Sequence, residues 1–302
     1  MFKNDQMNEV LEKFRGTGVA IVTPFNDDFS IDYNAIKKLV EYVIDGGVDY
    51  IVVQGTTGES STLTQDEKIK SRRAFIDANK ERVPLVVGIG SNDTESLINY
   101  IKNSDLKGFS AVLSVTPYYN KPTQEGLFKH YSLLAQSSSL PLILYNVPSR
   151  TSCNLEPETV FRLAQNNKNI IGIKEAKGDM QQMDFLIKNR PSNFLIISGD
   201  DETAPSSIIN GADGVISVAA GCIPKLYNKI VDSALNHNEF ETQELLSSIK
   251  PFLKNLFVEG NPAGLKSALS IQKLCKNKLR LPLLPVSTNL HEKIEKFIIK
   301  NS

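Results

Sequence analysis

Short apolar runs rich in β-branched residues recur along the chain, separated by longer stretches in which apolar positions return every three or four residues. The runs are GVAIVTP (18–24), DYIVVQG (49–55), PLVVGIG (84–90), SAVLSVTP (110–117), PLILYNVP (141–148), NIIGIKE (169–175), NFLIISGD (193–200) and DGVISVAA (213–220). They are apolar on both faces, as strands are when helices cover one side and a packed interior fills the other. Helix signals lie between them. Asp32 precedes Ile36, Leu39, Val40 and Val43, and Thr64 with Glu67 reads as a capping box opening the next helix.

Eight strand-then-helix units within about 225 residues predict a closed (β/α)8 barrel, with a doubly wound open sheet as the alternative. Beyond the eighth run no strand signal returns, and 223–235, 239–257, 263–276 and 288–299 read as helices. The expected organisation is an N-terminal extension over 1–15, a barrel over 16–222, and a C-terminal helical region over 223–302 that completes the barrel and packs on it.

Composition narrows the partners. The chain has 302 residues, 34 of them basic and 34 acidic, so its formal charge is zero and nothing electrostatic calls for nucleic acid or an anionic membrane. No apolar stretch approaches the roughly 18 residues that span a bilayer, and the charged N-terminus is no signal peptide. The three cysteines are scattered and odd in number, which favours a reducing cytoplasm over a disulfide framework. The three histidines, 130, 237 and 291, lie too far apart to suggest a metal site.

In such a barrel the active site forms at the C-terminal ends of the strands, and the unusual residues collect there: GTTGES (55–60), TPYYNKP (116–122), YNVPSRT (145–151), Lys174 and SGDD (198–201). Each has a plain structural alternative. GTTGES would serve as a turn with a cap, the tandem tyrosines as an interface, and Asp200–Asp201 as an acidic helix start rather than a cation site. Neither GTTGES nor GIGSND (88–93) completes a phosphate-binding motif. Lys174 closes a buried strand, where it would snorkel outward or pair with Glu175. Adjacent strand residues face opposite ways, which makes Glu175 a poor partner.

The sharper reading of Lys174 is chemical. A lysine taken out of water is disfavoured as ammonium, and the neutral amine is a nucleophile that forms a Schiff base with a ketone. That imine is an electron sink for making or breaking a carbon–carbon bond. Tyr145, Tyr119 and Thr57 would supply hydroxyls for proton transfer, while Thr56, Thr57 and the GTTG amides would hold a carboxylate.

GTTGES, VTPYYNKP, LYNVPSRT, GIKEAKGD, SGDD and GVISV, in this order, resemble the dihydrodipicolinate synthase family from about residue 16 to 287, as do LFVEGNPAGLK (256–266) and RLPLLPVS (280–287). The resemblance implies a (β/α)8 barrel with C-terminal helices, usually a homotetramer built as a dimer of dimers. It implies condensation of pyruvate with L-aspartate 4-semialdehyde, on the route to diaminopimelate and lysine, through a covalent imine and without a cofactor. Lys174 would carry the imine and Tyr145 act as the acid/base beside it. Thr57, Tyr145 and Tyr119 would form a hydroxyl relay, with Tyr119 contributed by the neighbouring subunit. Thr56 and Thr57 would hold the pyruvate carboxylate, Arg150 the aldehyde's carboxylate, and Gly199 and Ile216 would line the site through their backbone. N-acetylneuraminate lyase and 2-keto-3-deoxy sugar acid aldolases share the lysine and tyrosine, but Arg150 and GTTG favour the synthase. At the family's lysine-inhibition cleft Asn92 and Tyr118 match, whereas Gln65, Lys68 and Ser96 depart, so weak or absent inhibition is expected.

Overall fold

The computed structural model describes residues 4–300. Its strands are β1 (Gly16–Ala20), β2 (Tyr50–Val53), β3 (Leu85–Gly88), β4 (Ala111–Val115), β5 (Leu142–Asn146), β6 (Ile170–Glu175), β7 (Leu195–Ser198) and β8 (Gly214–Ser217). All are parallel and pair in chain order, β1 closing on β8. The barrel reading holds and the open sheet falls away. Seven strands lie inside the predicted runs, and β1 begins two residues earlier, at Gly16.

Alternation assigns the two faces. Val52, Val86, Leu113, Ile143, Ile171, Ile197 and Ile216 join Tyr50 and Tyr145 in an interior cluster. Ile51, Val53, Val87, Val112, Leu144, Ile173, Ile196 and Val215 turn outward into the layer shared with the helices. Leu11 and Phe14 complete the interior, Phe14 meeting Tyr50 edge-on, so the N-terminal helix Asn4–Glu12 stoppers the end of the barrel opposite the site.

One strand breaks the alternation. Leu142 pairs with Ile170, but Ile143 pairs with Gly172, so β6 carries one extra residue at this point. Ile171 therefore faces inward and Ile173 outward, although they are two residues apart. Such a bulge re-aims every side chain beyond it. Without it Lys174 would point into the helical layer and Glu175 into the barrel. Gly172 makes the bulge possible, since a Cβ there would lie 2.7 Å from the Leu195 backbone oxygen.

The helices start as predicted at Asp32, whose carboxylate accepts from Ala35 N, and at the reciprocal Thr64–Glu67 capping box. Two of the shifted boundaries have a visible cause. The helix expected over 263–276 spans Ala263–Ile271, because Lys273 takes a left-handed φ of 59° and Leu274 N bonds back to Leu269 O. The last strand stops at Ser217 instead of running to 220, because the Asp201 carboxylate takes the Ser217 hydroxyl and the amides of Val218 and Ala219. The helix Pro224–Leu235 packs on β1 and on the helix Tyr33–Asp45, closing the outer ring.

Acid sensitivity is built into one helix of that ring. His130 is buried in the helix Gln124–Ser137, its Nδ1 2.8 Å from Thr94 Oγ1 and its Nε2 without a partner. Burial lowers its pKa from 6.5 to about 4. The unfolded chain therefore takes up a proton that the folded chain refuses between those values. Stability should be full above pH 6.5 and fall as the pH drops towards 4. Urea titrations across that window should show the decline, and His130→Gln should flatten it.

Candidate active site

Lys174 and Tyr145 are register partners at the C-terminal ends of β6 and β5. Both are buried, and the Lys174 Nζ stands 4.6 Å from the centroid of the Tyr145 ring. Gly199, just beyond β7, leaves room for this lysine: a Cβ there would come within 2.8 Å of Lys174 Cε. Ile216 on β8 belongs to the same interior cluster as Tyr145. Four of the predicted site residues thus meet at one mouth of the barrel.

Glu175 faces the other way, as strand geometry requires. Its carboxylate accepts from Asn146 Nδ2 at 2.9 and 3.1 Å, Gln182 Nε2 at 2.9 Å and Lys177 N at 2.8 Å. Burial raises its pKa, and those donors oppose the rise. The pairing of Lys174 with Glu175 is therefore absent, and Glu175 serves to tie β5, β6 and the following loop together. Asp200 and Asp201 also do structural work. Asp200 accepts from the amide and hydroxyl of Thr203, and Asp201 holds the turn after β8.

The GTTGE loop after β2 forms two overlapping turns, with Gly58 N donating to Gly55 O and Glu59 N to Thr56 O, both at 3.1 Å. Thr57 is buried, and its hydroxyl accepts from Asn261 Nδ2 at 2.9 Å. Thr56 is partly exposed beside it. With its oxygen accepting from Asn261, the Thr57 hydroxyl keeps its own proton to donate. No hydrogen bond links Thr57 to Tyr145. Arg150 reaches the same segment, donating to Asn261 O at 3.3 Å. Among the described residues its guanidinium makes no ion pair.

Tyr119 is the exception. It sits at φ 74° with 89% of its surface exposed, and its hydroxyl has no partner among the described residues. Within one chain it is not brought to the lysine.

Sequence reasoning missed Asn261, whose side chain holds Thr57 and whose Oδ1 is buried without a partner. It also missed Glu59 and Lys266, which form a wholly buried ion pair at 2.5 Å. Burial lowers the Lys266 pKa while Glu59 pulls against it. One signal was visible: Lys266 is the lone charge in the helix AGLKSALSI.

At the C-terminal mouth of this parallel (β/α)8 barrel a buried lysine and tyrosine thus stand side by side, with Thr57 and Arg150 both tied to Asn261. The dihydrodipicolinate synthetase family model matches residues 13–301, and the chain belongs to that family. A 4-hydroxy-tetrahydrodipicolinate synthase of Flavobacterium psychrophilum is 48% identical over 95% of this chain and 98% of its own. The chloride-inhibited dihydrodipicolinate synthase of Acinetobacter baumannii, solved with pyruvate, superposes with a TM-score of 0.91 at 41% identity, covering 95% of this chain and 98% of that one. A monomeric dihydrodipicolinate synthase variant gives a TM-score of 0.91 at 39% identity, over 96% and 97% of the two chains. The chain is a lyase of this family.

Proposed function

We propose that the enzyme condenses pyruvate with L-aspartate 4-semialdehyde through an imine on Lys174, giving 4-hydroxy-tetrahydrodipicolinate for diaminopimelate and lysine synthesis. The observation that carries this reading is the buried Lys174–Tyr145 pair, 4.6 Å from Nζ to ring centroid, beside the Thr56–Thr57 loop. The Lys174 amine attacks the pyruvate ketone, forming a C–N bond, and loss of water leaves the imine. Tyr145 gives and takes the protons of that sequence. Removal of a methyl proton yields an enamine whose carbon attacks the aldehyde, forming the C–C bond; the amine of the semialdehyde then displaces Lys174 from the imine carbon, closing the ring and freeing the lysine. Hydroxyls and loop amides at Thr56 and Thr57 hold the pyruvate carboxylate, and the planar guanidinium of Arg150 takes the carboxylate of the second substrate. Gly199 and Ile216 line the pocket through their backbone. The covalent imine does the work of a cofactor, and none other is needed.

Borohydride reduction with pyruvate, followed by peptide mass mapping, tests the imine. Coupled assays with aspartate semialdehyde and with N-acetylmannosamine then test the acceptor. An adduct on Lys174 and turnover of the semialdehyde alone support the reading, while turnover of the amino sugar alone would assign a sugar-acid lyase.

The working assembly is a cytoplasmic homotetramer, a dimer of dimers, in which Tyr119 completes the relay of its neighbour. The exposure of Tyr119 and of Tyr118 beside it supports this arrangement. Among the described residues no helix is long and apolar enough to cross a membrane. Mixing inactive Tyr119→Phe with inactive Lys174→Ala protein should restore activity, because one site in each mixed dimer then holds both native groups. Native mass spectrometry would confirm exchange, and exchange without recovery would return Tyr119 to a role within its own chain. Lysine should inhibit weakly or not at all, given Gln65, Lys68 and Ser96.

A further inference from the structure

The GTTGE loop is tied to a part of the chain more than 200 residues away. Asn261 holds Thr57, and five residues later Lys266 meets Glu59, both carried by the entry to the helix Ala263–Ile271. Glu59 and Lys266 side chains are 0% exposed and 2.5 Å apart. The second Glu59 oxygen accepts from Arg280 N at 3.0 Å. Lys266 also donates to Lys278 O at 2.8 Å and stands 4.1 Å over the Phe25 ring. On the other side of the loop, Thr23 Oγ1 donates to Gly58 O at 2.7 Å.

A buried ion pair is a poor stabiliser, since well-packed apolar residues of similar volume commonly do as well or better. What it does impose is geometry, because only one arrangement satisfies both charges. Glu59 itself has a φ of 51°, a strained value for a non-glycine residue that persists where its surroundings over-determine it. The strain sits two residues from Thr57, at the residue whose carboxylate Lys266 and Arg280 hold.

We propose that the buried Glu59–Lys266 pair is a positioning device for the pyruvate-carboxylate loop, through which the C-terminal helices set pyruvate affinity. It rests on the reading of Thr56 and Thr57 as that carboxylate site. Neither residue touches the reacting atoms; both act through Thr56 and Thr57.

The test is steady-state kinetics on the charge-neutral double variant Glu59→Gln/Lys266→Gln, with thermal melting as a check on folding. KM for pyruvate should rise at least about tenfold, with kcat at saturating pyruvate changed less than about threefold and KM for the aldehyde within twofold. Pyruvate KM within twofold of the parent enzyme, or equal losses in every constant, would overturn the proposal. Should the double variant not fold, Glu59→Asp keeps the charge and retracts the carboxylate by one methylene. Pyruvate KM should then rise at least about threefold, and an unchanged value overturns the idea. Thr56→Ala separates the two layers of argument. If it leaves pyruvate KM unaltered, the carboxylate assignment has failed; if it raises KM while the Glu59 variants do not, only the positioning role has failed.

Discussion

Lys174→Ala should abolish the borohydride-trapped pyruvate adduct and lower turnover by three orders of magnitude or more, a loss of about 4 kcal/mol or more in transition-state stabilisation. The lysine is the nucleophile of the imine reading, and no other lysine stands against Tyr145. Lys177, the nearest in sequence, is exposed and paired with Asp179 at 2.8 Å. The fold should survive, because Lys174 makes no ion pair among the described residues whose loss would strand a buried charge. Lys174→Arg should be equally inactive, since a guanidinium stays protonated and cannot attack a ketone. Trapping on Lys177 in the parent enzyme would sink the assignment.

Arg150→Ala should lower kcat/KM for aspartate semialdehyde at least about tenfold while leaving the pyruvate adduct on Lys174 intact. Losing a charge-assisted contact costs roughly 1.5–3 kcal/mol. Imine formation precedes the second substrate and does not use the guanidinium. In the structure Arg150 is exposed and donates to Asn261 O at 3.3 Å. Arg150→Lys should recover part of the activity, as a point charge cannot reproduce the planar fork. Unchanged aldehyde kinetics in Arg150→Ala would remove this residue from the site, and with it the main reason to prefer the semialdehyde over a sugar aldehyde.

Tyr119 shows how far one chain carries the argument. Its motif was legible as tandem tyrosines between prolines, yet a single copy leaves its hydroxyl in solvent. The cross-subunit role proposed for it would need a second chain, which no pattern within one chain supplies. Asp200 and Asp201, by contrast, were read as structural, and they cap and hold turns in the structure.

Eight strands in order, and a lysine and a tyrosine at the C-terminal ends of two of them, were legible from sequence alone. The reason is locality: apolar period, caps and the last residue of each run are encoded within a few neighbouring positions. Two decisions belonged to the tertiary structure. The extra residue at Ile171 and Gly172 turns Lys174 into the barrel and Glu175 out of it, and it is defined only by the pairing of β6 with β5. The hold of Asn261 and Lys266 on the GTTGE loop joins positions 204 and 207 residues apart. No pattern along the chain announces such a contact, because it depends on where the C-terminal helices come to rest once the barrel has closed.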